Sequence, residues 1–172
     1  RRDEAGDVAQ ATAFGIAPID LVIVDLYPFE ETVLRGGTEE DIIEKIDIGG
    51  ISLIRGAAKN FADVLIVASR SQYPALLELL QSKNSSSDLP DRKKFAAMAF
   101  DVTSHYDTAI FNYFNQEFKF PSFKKSIQQG RTLRYGENPH QQGTYFGEFD
   151  ALFEQLHGKE LSYNNLVDVD AA

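Results

Sequence analysis

Apolar and polar positions along this chain alternate between a helical rhythm and short continuous runs. Over residues 3–14, alanine, valine and phenylalanine recur at helical spacing, and Gly15 and Pro18 close the segment. Ile19-Asp20-Leu21-Val22-Ile23-Val24 is a β-branched, nearly continuous apolar run, the pattern of a parallel strand buried on both faces. Thr38 stands ahead of Glu39-Glu40-Asp41, an N-cap followed by carboxylates that suit the positive end of a helix dipole. That predicts a short helix to about Ile46. Gly49-Gly50 then interrupts, and residues 51–60 read as another helix. Residues 64–68 form a second buried strand, and 73–80 a helix with a leucine-rich face. From Asp91 to about Phe118, the residues Phe95, Met98, Ala99, Val102, Tyr106, Ile110 and Phe114 recur in three- and four-residue steps. They predict one long amphipathic helix whose aromatic content packs the core.

The order helix, strand, helix, helix, strand, helix predicts an α/β fold with a parallel sheet. Residues 82–88 are a polar loop. Residues 119–130 are basic and irregular, with Pro121 and Gly130, and read as a linker between a first domain over 1–118 and a second that occupies 131–172.

Composition narrows the function. Of 172 residues, 43% are apolar and 25% charged, ordinary values for a globular protein with a real core. A net charge of -9 and a pI of about 4.8 argue against nucleic acid or an anionic membrane as partner. The absence of cysteine excludes disulfides, thiolate metal sites and a cysteine nucleophile, and fits a cytoplasmic location. No apolar run approaches the ~20 residues that span a bilayer. The chain opens on Arg1-Arg2-Asp3-Glu4 and stops at Ala172 inside a helix start, so a fragment cut at both ends is expected.

Candidate chemistry sits at the ends of the apolar elements. Tyr27 directly follows the first strand, on the edge where ligands collect in open α/β sheets, and either meets a ligand or packs under a turn. Val24 and Asp25 share that edge. Asp47 precedes Ile48 and two glycines that let a backbone approach a ligand closely; it either faces a ligand or caps the next helix. Lys59, on the same helix face as Arg55, is either a snorkelling surface residue or one held near a carboxylate. Arg134-Tyr135-Gly136-Glu137-Asn138-Pro139-His140-Gln141 offers an arginine and a hydroxyl that suit a phosphate, or is a solvated turn. His140 has no neighbour at ligand spacing, so no metal site is read. His105 reads as a satisfied helix residue and His157 as a surface one. Glycine-rich phosphate loops and the nucleophile-elbow motif are absent from the sequence.

Taken together the segments resemble the bifunctional purine-biosynthesis enzymes that join IMP cyclohydrolase to AICAR transformylase. Three blocks carry the likeness: Leu26-Tyr27-Pro28-Phe29-Glu30; residues 46–50 running on to Ala57-Ala58-Lys59-Asn60; and Arg134 to Gln141. A fourth, Gly158-Lys159-Glu160-Leu161-Ser162-Tyr163-Asn164-Asn165, is similar to the bacterial form. The resemblance implies a methylglyoxal-synthase-like parallel sheet with helices for the cyclohydrolase part. It implies the beginning of a second, cytidine-deaminase-like α/β domain for the transformylase part.

It further implies the last two steps of de novo purine synthesis. A formyl group passes from 10-formyl-tetrahydrofolate to AICAR, and formyl-AICAR then closes to IMP with loss of water. No cofactor is needed for the ring closure. By the same resemblance Tyr27 donates to the formyl oxygen, and Asp47 and Lys59 move protons. Val24, Asp25, Ile48 and Gly49 contact the nucleotide, and Arg134, Tyr135 and Asn164 bind AICAR. A homodimer is implied as well. Two positions depart from the family pattern: Asp25 stands where asparagine is usual, and Gly56 where alanine is. The family's phosphate loop, a further catalytic lysine and the transformylase lysine–histidine pair have no counterpart in these 172 residues, so little of either activity is expected from the isolated chain. The alternative is a non-catalytic methylglyoxal-synthase-like regulatory domain that binds a small phosphorylated effector.

Overall fold

Two parallel strands organise the first part of the computed structural model, which describes residues 1–172. β1 (Leu21–Ile23) lies beside β2 (Leu65–Val67), with Leu21, Val22 and Ile23 opposite Leu65, Ile66 and Val67. The ladder runs on at both ends, Leu65 N–H donating to Asp20 O at 2.9 Å and Val24 N–H to Val67 O at 3.0 Å. β2 is wholly buried, as its unbroken apolar run requires. β1 differs from the expectation of burial on both faces: Leu21 and Val22 are half-buried and Ile23 is 47% exposed. The reason is packing: Leu65, Ile66 and Val67 sit inside the two core clusters, whereas Val22 and Leu21 only border those clusters and Ile23 joins neither.

Around the sheet run α1 (Ala5–Ala13), α2 (Phe29–Leu34), α3 (Glu39–Ile43), α4 (Gly49–Lys59), α5 (Tyr73–Ser82, after a single 3-10 turn at Arg70–Gln72) and α6 (Leu89–Phe118). None of the residues of α1 is buried. α3 starts where Thr38 predicts, with a capping box between Thr38 and Asp41. α2 has no counterpart in the predicted elements, and six residues are too few to show a helical period. α4 begins two residues earlier than the glycine pair suggests. Gly49 and Gly50 form its first turn rather than a break.

α6 is the 30-residue spine. Asp88 and Asp91 form its capping box, with Pro90 in the first turn. It ends where Lys119 turns left-handed at φ 51° and Asn115 Oδ1 takes the Phe120 N–H at 2.6 Å. Its face meets α4 and β2 through Ile54, Ala58, Ile66, Ala68, Ala96 and Ala99. Alanine at four of these six positions lets the helices and strand approach closely. Phe95 joins Leu65, Val67, Leu76 and Leu79 under α5, and Tyr106 joins Phe29 and Ile42. Full burial of a side chain such as Ile66 contributes about 1.5–3 kcal/mol. Phe114, at the end of the predicted stripe, is 41% exposed.

By contact the chain divides into two units, Arg1–Ser122 and Phe123–Ala172. In the second, β3 (Gly130–Thr132) pairs antiparallel with β4 (Thr144–Phe146), followed by α7 (Phe149–Leu152) and α8 (Tyr163–Ala171). Gly130 lies opposite Phe146, and a Cβ at 130 would stand 3.2 Å from that ring. No helix is long and apolar enough to cross a membrane.

Candidate active site

The carboxyl edge of the parallel pair gathers most of the singled-out residues of the first unit. Phe29 is 1% exposed and packs edge-on against Tyr106 (6.0 Å) and Tyr113 (5.8 Å), which fixes the backbone just beyond Tyr27. Tyr27 itself projects outward, 58% exposed. Lys45 Nζ lies over its ring at 5.9 Å.

Asp47 stands one residue before the N-cap of α4. Its Oδ1 accepts the Gly50 N–H at 2.6 Å, and its Oδ2 faces the Tyr27 N–H at 3.4 Å. Asp47 is therefore a cap and a neighbour of Tyr27 at once. Gly50 makes the cap possible, because a Cβ there would sit 2.6 Å from Asp47 Oδ2. Ile48 is exposed, and the space beside Gly49 is open to 4 Å around a built Cβ, so this turn presents bare backbone.

Lys59 is not brought to the same point. It ends α4, and a rise of 1.5 Å per residue separates it from the Asp47 end by ~15 Å. Its side chain is exposed and unpaired. Arg55, one turn earlier, docks on α6 over the Phe100 ring at 5.4 Å and approaches Thr103 Oγ1 at 3.5 Å.

Asp25 is half-buried at the end of β1. Its Oδ2 accepts from Tyr73 Oη at 2.7 Å and from Arg70 Nε at 3.2 Å, whereas its Oδ1 is sealed from solvent without a donor. The hydrogen bond to Asp25, with burial, raises the Tyr73 phenol above its ordinary value. Tyr73 and Arg70 were not among the expected site residues. A signal for them exists: they follow the second strand, whose carboxyl end must lie beside that of the first. Val24 is held by its ladder bond to Val67 O. A cleft of about 640 Å³ between α1 and α4 borders Leu53, Gly56 and Asn60 but does not reach Tyr27 or Asp47.

In the second unit, the polar cluster and the 158–165 block fold onto each other. Arg134 N–H donates to Leu161 O at 3.0 Å, Tyr163 N–H to Tyr135 O at 3.1 Å, and Asn164 Nδ2 to Glu137 O at 3.1 Å. Arg134, Tyr135 and Asn164 thus belong to one small surface. The Arg134 guanidinium lies over the Tyr135 ring at 4.8 Å and donates to its hydroxyl at 3.2 Å. The Ser162 hydroxyl and Arg134 together lower the Tyr135 phenol from its ordinary value. Ser162 is buried and caps α8 with Asn165. His140 and His157 are exposed, and His105 Nε2 meets Glu30 Oε1 at 3.0 Å.

Residues 57–172 match the family model described as the AICARFT/IMPCHase bienzyme. The chain belongs to that family. Its curated relatives agree. It is 57% identical over its whole length to the bifunctional purine biosynthesis protein PurH of Bacteroides thetaiotaomicron, covering 34% of that protein. It is 46% identical to the PurH of Bradyrhizobium diazoefficiens, with 99% of this chain and 34% of the relative aligned. The PurH of Chloroflexus aurantiacus is 43% identical, with 100% of this chain and 33% of that one aligned. The chain thus spans about a third of the length of the curated relatives it matches. Among solved structures, one titled "Crystal structure of ForH" aligns with a TM-score of 0.53 at 28% identity, covering 66% of this chain and 59% of that one. Membership of a bienzyme family sets aside the regulatory-domain alternative.

Proposed function

We propose that residues 1–118 are most of an IMP cyclohydrolase domain and that residues 131–172, after a linker, open an AICAR transformylase domain. The observation that carries the reading is the meeting of Tyr27 and Asp47, distant in sequence, at the carboxyl edge of the parallel pair.

In ring closure the carboxamide nitrogen of formyl-AICAR attacks the formyl carbon of the same molecule. A C–N bond forms, and after proton transfers the former formyl oxygen leaves as water. Both reacting groups sit in one molecule, so orientation supplies much of the rate. The exposed Tyr27 hydroxyl is free to donate to the oxygen on which charge develops. Asp47, already an acceptor of two backbone N–H groups, takes the amide proton. Lys59, at the other end of α4, is the second group that moves protons to and from the attacking amide and the departing water. The bare backbone at Ile48 and Gly49, with Val24 and Asp25 across the edge, suits contacts to a nucleotide. As an ionised carboxylate, Asp25 accepts hydrogen bonds and cannot donate them.

Arg134, Tyr135 and Asn164 share a surface suited to AICAR, and 10-formyl-tetrahydrofolate is the co-substrate of that second reaction. AICAR, formyl-AICAR and IMP are the ligands, the assembly is a homodimer and the location cytoplasmic. The test is ultraviolet monitoring of formyl-AICAR conversion to IMP, with the Bacteroides thetaiotaomicron relative measured beside this chain. In that relative, changes at the positions of Tyr27, Asp47 and Lys59 should each slow closure at least ~100-fold. Closure that survives all three changes rules out this site.

A further inference from the structure

We propose that Tyr106 is a positioning residue that sets Asp47 against Tyr27, its hydroxyl acting as a clamp on the turn before α4. The proposal rests on the cyclohydrolase reading for its functional meaning, though not for its geometry.

Tyr106 lies in the middle of α6, 5% exposed. Its hydroxyl serves one short segment twice. It accepts the Asp47 N–H at 2.8 Å and donates to Lys45 O at 2.6 Å. One oxygen thereby spans the turn that carries Asp47 and the ammonium of Lys45. The ring of the same residue packs edge-on against Phe29, two residues beyond Tyr27. Tyr106 thus bonds to the backbone on the Asp47 side of the contact and packs against the Phe29 side chain on the Tyr27 side.

Packing alone does not call for this hydroxyl, since a phenylalanine fills nearly the same space. The Asp47 carboxylate bonds only to backbone N–H groups, those of Gly50 and Tyr27, so its aim depends on where its own backbone is held. The Tyr106 bond is what holds that backbone from the direction of the core. Burial raises the Tyr106 phenol above its ordinary value, so the hydroxyl remains protonated and able to donate at neutral pH. The sequence pattern classes Tyr106 as one more residue of the apolar stripe, and nothing in its spacing marks the second role.

The experiment compares the full chain with Tyr106→Phe, Asp47→Asn, the double variant and Phe29→Leu. Amide hydrogen exchange is read at Tyr27, Gly50 and the β2 residues Leu65 and Val67, and IMP binding by calorimetry. Loss of the clamp should speed exchange at Tyr27 and Gly50 about tenfold or more relative to β2, whose protection stays as in the unaltered chain. IMP affinity should fall about tenfold in Tyr106→Phe, and Asp47→Asn should add much less in that background than alone. Phe29→Leu loosens the same packing without removing the hydroxyl, and should lower protection without singling out Tyr27 and Gly50. Unchanged exchange at Tyr27 and Gly50 in Tyr106→Phe overturns the proposal, as does strict additivity of the Tyr106 and Asp47 effects on IMP. Absence of IMP binding to the unaltered chain, which lacks a counterpart of the family's phosphate loop, removes the nucleotide arm, and the exchange ratios then decide the clamp.

Discussion

Replacing Gly50 with alanine probes the turn that aims Asp47. The new Cβ would stand 2.6 Å from Asp47 Oδ2 and 2.8 Å from both Cγ and Oδ1, closer than unbonded atoms sit. The carboxylate must swing away, which removes its bond to the Gly50 N–H and its approach to the Tyr27 N–H. Loss of a side-chain cap of this kind costs ~1–2 kcal/mol. Against this, alanine restricts the unfolded chain and returns ~0.5–1 kcal/mol.

Gly56, on the same helix, provides the reference. A Cβ there meets nothing within 4 Å, so Gly56→Ala should stabilise by that same ~0.5–1 kcal/mol. The alanine term largely cancels between the two variants, and their difference of ~1–2 kcal/mol isolates the Asp47 contact. Urea unfolding followed by circular dichroism measures both, with a shifted midpoint and an unchanged slope as the signature of a stability change. In an Asp47→Ala background the two glycine changes should become equivalent. Equal stability of Gly50→Ala and Gly56→Ala in the unaltered background would refute the cap geometry, and with it the account of how Asp47 is aimed.

Two further outcomes follow from other parts of the fold. Ala99 is fully buried where α6 meets α4 and β2, so Ala99→Leu should overpack that contact and cost ~1–3 kcal/mol, read as a lower urea midpoint. The Lys83 ammonium, 2.7 Å from Asp88, is the first cause that holds the Asp88 carboxyl below its ordinary 3.8. A lowered folded pKa means that this contribution is present above the ordinary carboxylate value and lost as pH falls through the folded one. Lys83→Met should therefore flatten the acid limb of a helix-content titration, and an unchanged acid limb would show that the pair does not support the start of α6.

Much of the fold is legible from local chemistry. Thr38, Asp88 and Ser162 each cap a helix through a side chain beside its own residues, a bond that needs no distant partner. The stripe from Phe95 to Tyr106 predicts α6 because a helix that long repeats its period many times. The short α2 repeats nothing, and glycine's poor helix propensity hides the true start of α4, whose first turn is fixed by Asp47 instead. The partial exposure of β1 was equally hidden, because an apolar run states that a strand can be buried on both faces and not whether anything lies there.

The candidate site divides in the same way. By itself the sequence determined which residue types stand at the ends of the elements, since strand and helix boundaries are local, and it carried the blocks of the family resemblance, of which those from Ala57 onward lie inside the matched residues 57–172. Only the tertiary structure decided their company. Asp47 came to Tyr27 while Lys59 went to the far end of α4, because a helix has a fixed rise. Tyr73 and Arg70 reached Asp25 because parallel pairing sets the carboxyl ends of two strands side by side. Tyr106 reached Asp47 because α6, pinned at Ala96 and Ala99 against α4 and β2, has no freedom to present any other residue to that turn.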